Sequence, residues 1–145
     1  MAQIDMEHAK KEFDKYLRDF DLENPKILLK KVHTYGVIKA ADYICTREEL
    51  GAGDRDLALL IALLHDIGRF EQLRAYNSYD DDRFDHARFG VKLLFEQGKI
   101  RDFISCADYD EVIRQSIACH SMYRLPEIQD PRILLHCKII RDADK

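Results

Sequence analysis

Apolar residues recur at helical spacing along almost the whole chain. In the first segment, residues 5–20, the side chains Phe13, Tyr16, Leu17 and Phe20 follow one another at steps of three, one and three, with Ile4 just ahead. On a 3.6-residue turn these share one face, which predicts an amphipathic helix. Asn24 followed by Pro25 is a helix start. The Asn side chain can accept from an unpaired N–H of the first turn, and Pro at the first position gives up only an N–H that has no partner anyway. The helix it opens runs to about Cys45. Gly51 and Gly53 punctuate the next loop, and Asp54 is placed to cap a third helix, DRDLALLIALLHDIG. That segment is apolar nearly all round, so it belongs in the core.

The pattern then breaks. QLRAYNSYDDDR, within residues 71–83, is polar and acidic and predicts a long loop, the kind that often carries function. Amphipathic spacing resumes from about Asp85 to Gln97, again from about Asp110 to Ser121, and finally from Pro131 onward. Strand signals are weak throughout. The expectation is an all-α bundle of about six helices, a single domain over residues 1–145. The sequence stops inside the last helical pattern, at Asp142-Ala143-Asp144-Lys145, so the domain is expected to lack its natural C-terminal end.

Composition narrows the class. The 145 residues are 46% hydrophobic and 34% charged, the balance of a folded soluble domain rather than a disordered one. A net charge of −4 gives no basic excess for general nucleic-acid binding. The longest apolar run, Leu57 to Leu64, falls far short of the ~20 residues a membrane span needs. The charged N-terminus lacks the apolar core of a signal peptide, and a cytoplasmic location is the default expectation. Cys45, Cys106, Cys119 and Cys137 form no CxxC pair, which argues against a zinc ribbon or redox dithiol and for small buried residues.

The chemistry lies in the histidines. Of His8, His33, His65, His86, His120 and His136, His65 is the informative one, because it closes the most apolar helix and Asp66 follows it directly. Burying an imidazole beside a carboxylate is costly unless both are satisfied, and a divalent cation satisfies both at once. Neighbouring helical residues point ~100° apart, so the pair can converge on one ion only near a helix end, which Gly68 is placed to supply. His8 is expected on the surface and His136 in a structural role.

In context, LALLIALLHDIGR with His33 upstream in KKVHTYGVIKAADYI and Asp144 downstream in KIIRDADK resembles the HD-domain superfamily. These are all-helical metal-dependent phosphohydrolases marked by His, then His-Asp, then Asp. The resemblance implies a metal held by His33, His65, Asp66 and Asp144. Asp144 is preferred to Asp142 because in similar proteins this ligand follows a small residue. His86 and His120 fall where two-metal branches place theirs, so a second ion bridged by Asp66 is implied as a further option. The cyclic-dinucleotide branch carries two consecutive histidines where this chain has Cys119-His120-Ser121.

Carried over, the resemblance implies an enzyme that hydrolyses a small phosphorylated molecule, of nucleotide type, with one or two divalent ions (Mn, Fe, Mg, Ni, Co or Zn). Asp66 is the catalytic centre. Arg69, a turn beyond Asp66, and Lys145, beside Asp144, are the candidate cations for phosphoryl oxygens, with Arg88 and Glu71 as weaker candidates. The acidic tract Asp80-Asp81-Asp82 reads as solvated loop, and Tyr76 and Tyr79 as residues that could stack on a base. Two other readings stand beside this one. A di-iron oxygenase of the same fold would use the same order of four histidines and two aspartates. A non-catalytic module would bind a nucleotide through the metal without turning it over.

Overall fold

A computed structural model, describing residues 4–145, shows an all-helical chain. Its helices are α1 (Met6–Leu17), α2 (Pro25–Arg47), α3 (Ala52–Leu64), α4 (Ile67–Tyr76), α5 (His86–Val91), α6 (Ile100–Phe103), α7 (Asp110–Cys119) and α8 (Pro131–Ala143). A π-helical turn, Lys92–Glu96, prolongs α5, so together they fill the helix predicted from Asp85 to Gln97. No strand occurs among the described residues, and no helix is long and apolar enough to cross a membrane.

α3 is the centre, as its composition dictates. Leu57, Leu60, Ile61, Leu63 and Leu64 are all fully buried, and α1, α2, α7 and α8 pack round this helix. The starts follow the local chemistry. Asp5, Asn24, Asp85 and Asp130 each cap a helix by accepting backbone N–H groups, and Pro25 and Pro131 occupy first positions.

Three sequence expectations give way here. Asp54 does not cap α3. Gly51 stands at the cap, and the Asp54 carboxylate instead accepts from Arg132 Nε at 3.0 Å and His136 Nε2 at 2.9 Å on α8. The expected loop 71–83 is half helix, because α4 continues to Tyr76. Its polar sequence hides a buried stripe of Phe70, Gln72 and Leu73, and Asn77 ends it in the left-handed conformation at φ 51°. The helix break also falls at Asp66 (φ −108°, ψ 18°), not at Gly68, which lies inside α4. Gly68 has a different job. A β-carbon there would stand 2.0 Å from the His86 carbonyl oxygen, so the missing side chain is what lets α4 and α5 touch.

His136 is structural, pinning α8 to α3 through Asp54. Burial disfavours its charged form and holds its pKa below the usual histidine value, outweighing the pull of Asp54. Burial alone would raise the Asp54 carboxyl, but the His136 hydrogen bond and the Arg132 charge lower it. The signs agree. The unfolded chain binds protons that the native pair refuses, so stability falls as pH drops below the unfolded histidine pKa of ~6.5, and further below the unfolded carboxylate pKa of ~4. Thermal melts of metal-free protein at pH 7 and pH 5 should show this loss. His136→Gln should shrink the difference, and an unchanged pH dependence would refute the account.

Candidate metal centre

Five of the six predicted donors stand at helix ends, and this is how they meet. His65 caps the C-terminus of α3, Asp66 precedes α4, His86 opens α5, and His120 and Asp144 cap the C-termini of α7 and α8. Only His33 comes from mid-helix, on α2. The last carbonyls of a helix have no partner within it, and two histidines use them. His65 Nδ1–H donates to the Ala62 carbonyl at 2.6 Å, and His120 Nδ1–H to the Ile117 carbonyl at 2.6 Å. Each bond fixes the ring and aims Nε2 inward. Three helix C-termini (α3, α7 and α8) converge here, each carrying the equivalent of roughly half a negative charge, which favours a cation.

Asp66 organises the donors, its side chain only 4% exposed. As helix cap its carboxylate bonds no backbone N–H, so both oxygens are available. Oδ2 lies 3.3 Å from His65 Nε2 and 3.6 Å from His33 Nε2. Asp144 Oδ1 completes that group, 2.8 Å from His33 Nε2 and 3.4 Å from His65 Nε2. Oδ1 faces the other way, 3.1 Å from His120 Nε2 and 3.3 Å from His86 Nε2. The structure thus forms two donor groups able to hold a metal ion, His33–His65–Asp66–Asp144 and Asp66–His86–His120.

The spacing fits metal chemistry. Donors bound at about 2.0–2.2 Å and at right to tetrahedral angles stand roughly 2.9–3.5 Å apart, and most of the separations above fall in that range. Two further observations call for a cation. His65 Nε2 is buried with no hydrogen-bond partner. His86 Nε2 and His120 Nε2 face each other at 3.0 Å while both Nδ1 atoms act as donors elsewhere, so a proton or a metal ion has to stand between them. The buried carboxylates favour positive charge at this point, whether a proton or a metal ion supplies it. Burial opposes charge on His65, yet Asp66 and Asp144 outweigh it and push the imidazole up to about 10. Burial would raise Asp66, yet His65, His120 and His86 hold it well below the carboxylate range.

A family profile for the HD domain matches residues 32–145. The chain belongs to the HD domain family. No curated protein matches it, and no solved structure does. The match begins one residue before His33 and takes in every donor of both groups, so the resemblance carried by His33, His65-Asp66 and Asp144 was correctly drawn.

Other predicted residues fall as follows in this HD domain. Asp142 is not in the donor cluster; its carboxylate meets Lys145 Nζ at 3.2 Å. Lys145 lines an open cleft of about 270 Å³ together with His120, Tyr123, Arg141 and Asp144. Arg69 is engaged by Gln72 and the loop after α4. Its Nη1 donates to Gln72 Oε1, the Tyr79 carbonyl and, at 3.4 Å, Asp81 Oδ1. Glu71 pairs with Arg74, and Arg88 lines a separate groove with Phe89 and Lys92. The Tyr79 hydroxyl donates to the Lys26 carbonyl, and Tyr76 packs near Phe84. Cys45, Cys119 and Cys137 are buried free thiols, and His8 is exposed, next to the Asp102 carbonyl.

Sequence reasoning missed two residues at the site. Lys30 Nζ lies 3.5 Å from Asp66 Oδ2. It is one turn before His33 on α2, so the helical period could have flagged it. Asp81, read as solvated, accepts from His86 Nδ1 at 2.9 Å. No local pattern signals that contact, because the loop that makes it folds back on α4.

Proposed function

We propose that this HD domain hydrolyses a phosphoester of a small molecule, of nucleotide type, using divalent ions held by His33, His65, Asp66 and Asp144 and by Asp66, His86 and His120. The observation that carries the reading is the division of Asp66: one carboxylate oxygen serves each donor group. Ions bound there would supply Lewis-acid activation of water near neutral pH and would neutralise charge on the phosphoryl oxygens. Mixed nitrogen and oxygen donors accept Mn, Fe, Mg, Ni, Co or Zn, so supply and geometry choose among them.

The chain's own residues do the rest. The carbonyls of Ala62 and Ile117 hold His65 and His120 in register before anything binds, so no reorganisation is needed at the moment of reaction. Access is one-sided. The His86 and His120 side chains are 1% exposed, whereas the His33 and Asp144 side chains are 32% and 24% exposed. Substrate therefore approaches over His33 and Asp144, where Lys145 borders the cleft and Lys30 reaches Asp66. We assign these two ammonium groups to phosphoryl oxygens. Arg69 is reassigned within this proposal, since its Nη1 is spent on the loop after α4.

The test is metal analysis of purified protein paired with a phosphate-release screen. Nucleoside mono- and triphosphates, cyclic dinucleotides and simple phosphoesters should be tried with each divalent ion. Hydrolysis that needs metal and stops with chelator is the expected result, and metal-loaded protein that turns over none of these classes would overturn the proposal. One specific observation favours a second reading: all four histidines and both aspartates of a di-iron site fall in two donor groups joined through Asp66. Bound iron with O₂ consumption and no phosphate release would select that oxygenase.

A further inference from the structure

We propose that Asp81 is a positioning residue for His86: it fixes the imidazole so that Nε2 faces the second donor group, while Gln72 and Arg69 fix Asp81. The inference rests on the two-ion reading above for its functional meaning, though not for its geometry.

His86 is the one histidine of the second group with no helix carbonyl to hold it. It stands at the start of α5, where N–H groups rather than carbonyls lack partners. A histidine there needs an acceptor from elsewhere to settle its tautomer. Asp81 is that acceptor. Its Oδ1 takes the His86 Nδ1–H at 2.9 Å and the His86 backbone N–H at 3.2 Å, and Oδ2 lies 3.1 Å from the same Nδ1. The ring is thereby locked with Nε2 bare. A carboxylate behind an imidazole also raises the basicity of the far nitrogen, as in carboxylate–histidine–metal triads.

Asp81 is itself held from below. Gln72 Nε2 donates to Asp81 Oδ1 at 3.0 Å and to the carbonyls of Asp80 and Phe84 at 2.9 and 3.1 Å. Gln72 is fully buried, and its Oε1 accepts from Arg69 Nη1 at 2.7 Å, which decides which end of the amide faces Asp81. Arg69 and Gln72 lie one turn apart on α4, so a single helix face carries the support. The neighbours in the tract do other things. Asp80 Oδ1 accepts the Asp82 N–H within the turn, and only Asp81 reaches a donor of the cluster.

The test compares Asp81→Ala, Asp81→Asn and, as a charge control from the same tract, Asp82→Ala. Metal-free protein labelled with ¹⁵N-histidine reports the protonation of each ring nitrogen, with His86 assigned by the signal lost in His86→Gln. In the wild type and Asp82→Ala, Nδ1 should carry the proton and Nε2 should be bare. Asp81→Ala should give a mixture of both tautomers, and Asp81→Asn, whose amide oxygen still accepts, should fall between. Titration with Mn²⁺ should show the weaker of two ions losing about 10–100-fold in affinity in Asp81→Ala, with the tighter ion unchanged. A His86 that keeps its wild-type tautomer in Asp81→Ala overturns the inference, as does unchanged affinity for a second ion. A wild type that binds one ion defeats the two-ion reading alone, and the tautomer result then decides the role of Asp81.

Discussion

On the proposed function, Asp66→Ala is expected to remove both metal content and hydrolytic activity while the helices remain. Each donor group loses its shared oxygen, so neither keeps enough ligands: the first falls from four to three and the second from three to two. With the ions gone, activation of water and charge neutralisation go together, and a loss of at least about 10³-fold in kcat/KM follows, roughly 4 kcal/mol of transition-state stabilisation. Asp66→Asn separates charge from shape. The amide fills the same volume but lacks the anionic oxygen that offsets buried cations, so it should also lose metal. Elemental analysis after dialysis checks the first result, and circular dichroism checks that the helices persist. A variant that retains full metal content would show that the ions, or the site, lie elsewhere.

Gly68→Ala should be nearly as damaging, although it touches no donor. The added β-carbon would lie 2.0 Å from the His86 carbonyl oxygen, 3.0 Å from its carbonyl carbon and 3.1 Å from the Gly90 nitrogen. All three are backbone atoms, so no side chain can swing aside. α4 and α5 must separate by about 1 Å or more to reach ordinary contact distances. Replacing a helical Gly by Ala gains about 1 kcal/mol of helix propensity, but overpacking at a backbone crossing costs about 3 kcal/mol or more. A net loss of roughly 2 kcal/mol would lower the midpoint of thermal unfolding by about 5–10 °C for a chain of this size. The same displacement carries His86 away from Asp66 and His120, so the second donor group should weaken too. Unchanged melting and unchanged metal stoichiometry would refute the crowding. Gly90 tolerates more, since its nearest neighbour would be a flexible Ile67 methyl at 3.5 Å.

These two expectations mark where sequence and fold divide the work. The sequence by itself determined the helical class, the central burial of α3, the starts at Asn24-Pro25 and at Pro131, and the six residues that the structure gathers as candidate donors. Those features are local or periodic: capping uses residues two or three apart, and a helix face repeats every 3.6 residues. His33, His65-Asp66 and Asp144 were legible because their order along the chain resembles that of the HD family, not because anything in the sequence shows that they meet.

What only the tertiary structure decided is how these residues are used. That Asp66 divides its two oxygens between two groups depends on α2, α7 and α8 arriving from different sides. That Asp81 supports His86, that Lys30 reaches Asp66 and that Arg69 turns to the loop depend on contacts between segments with no shared period. Asp54 shows the same limit: it has the composition of a helix cap, yet α3 starts two residues earlier, and the Asp54 carboxylate goes to His136 and Arg132, 82 and 78 residues away. Hydrogen bonds and ion pairs act over about 3 Å, and which atoms come that close across the bundle is fixed by packing, which no local window of sequence contains.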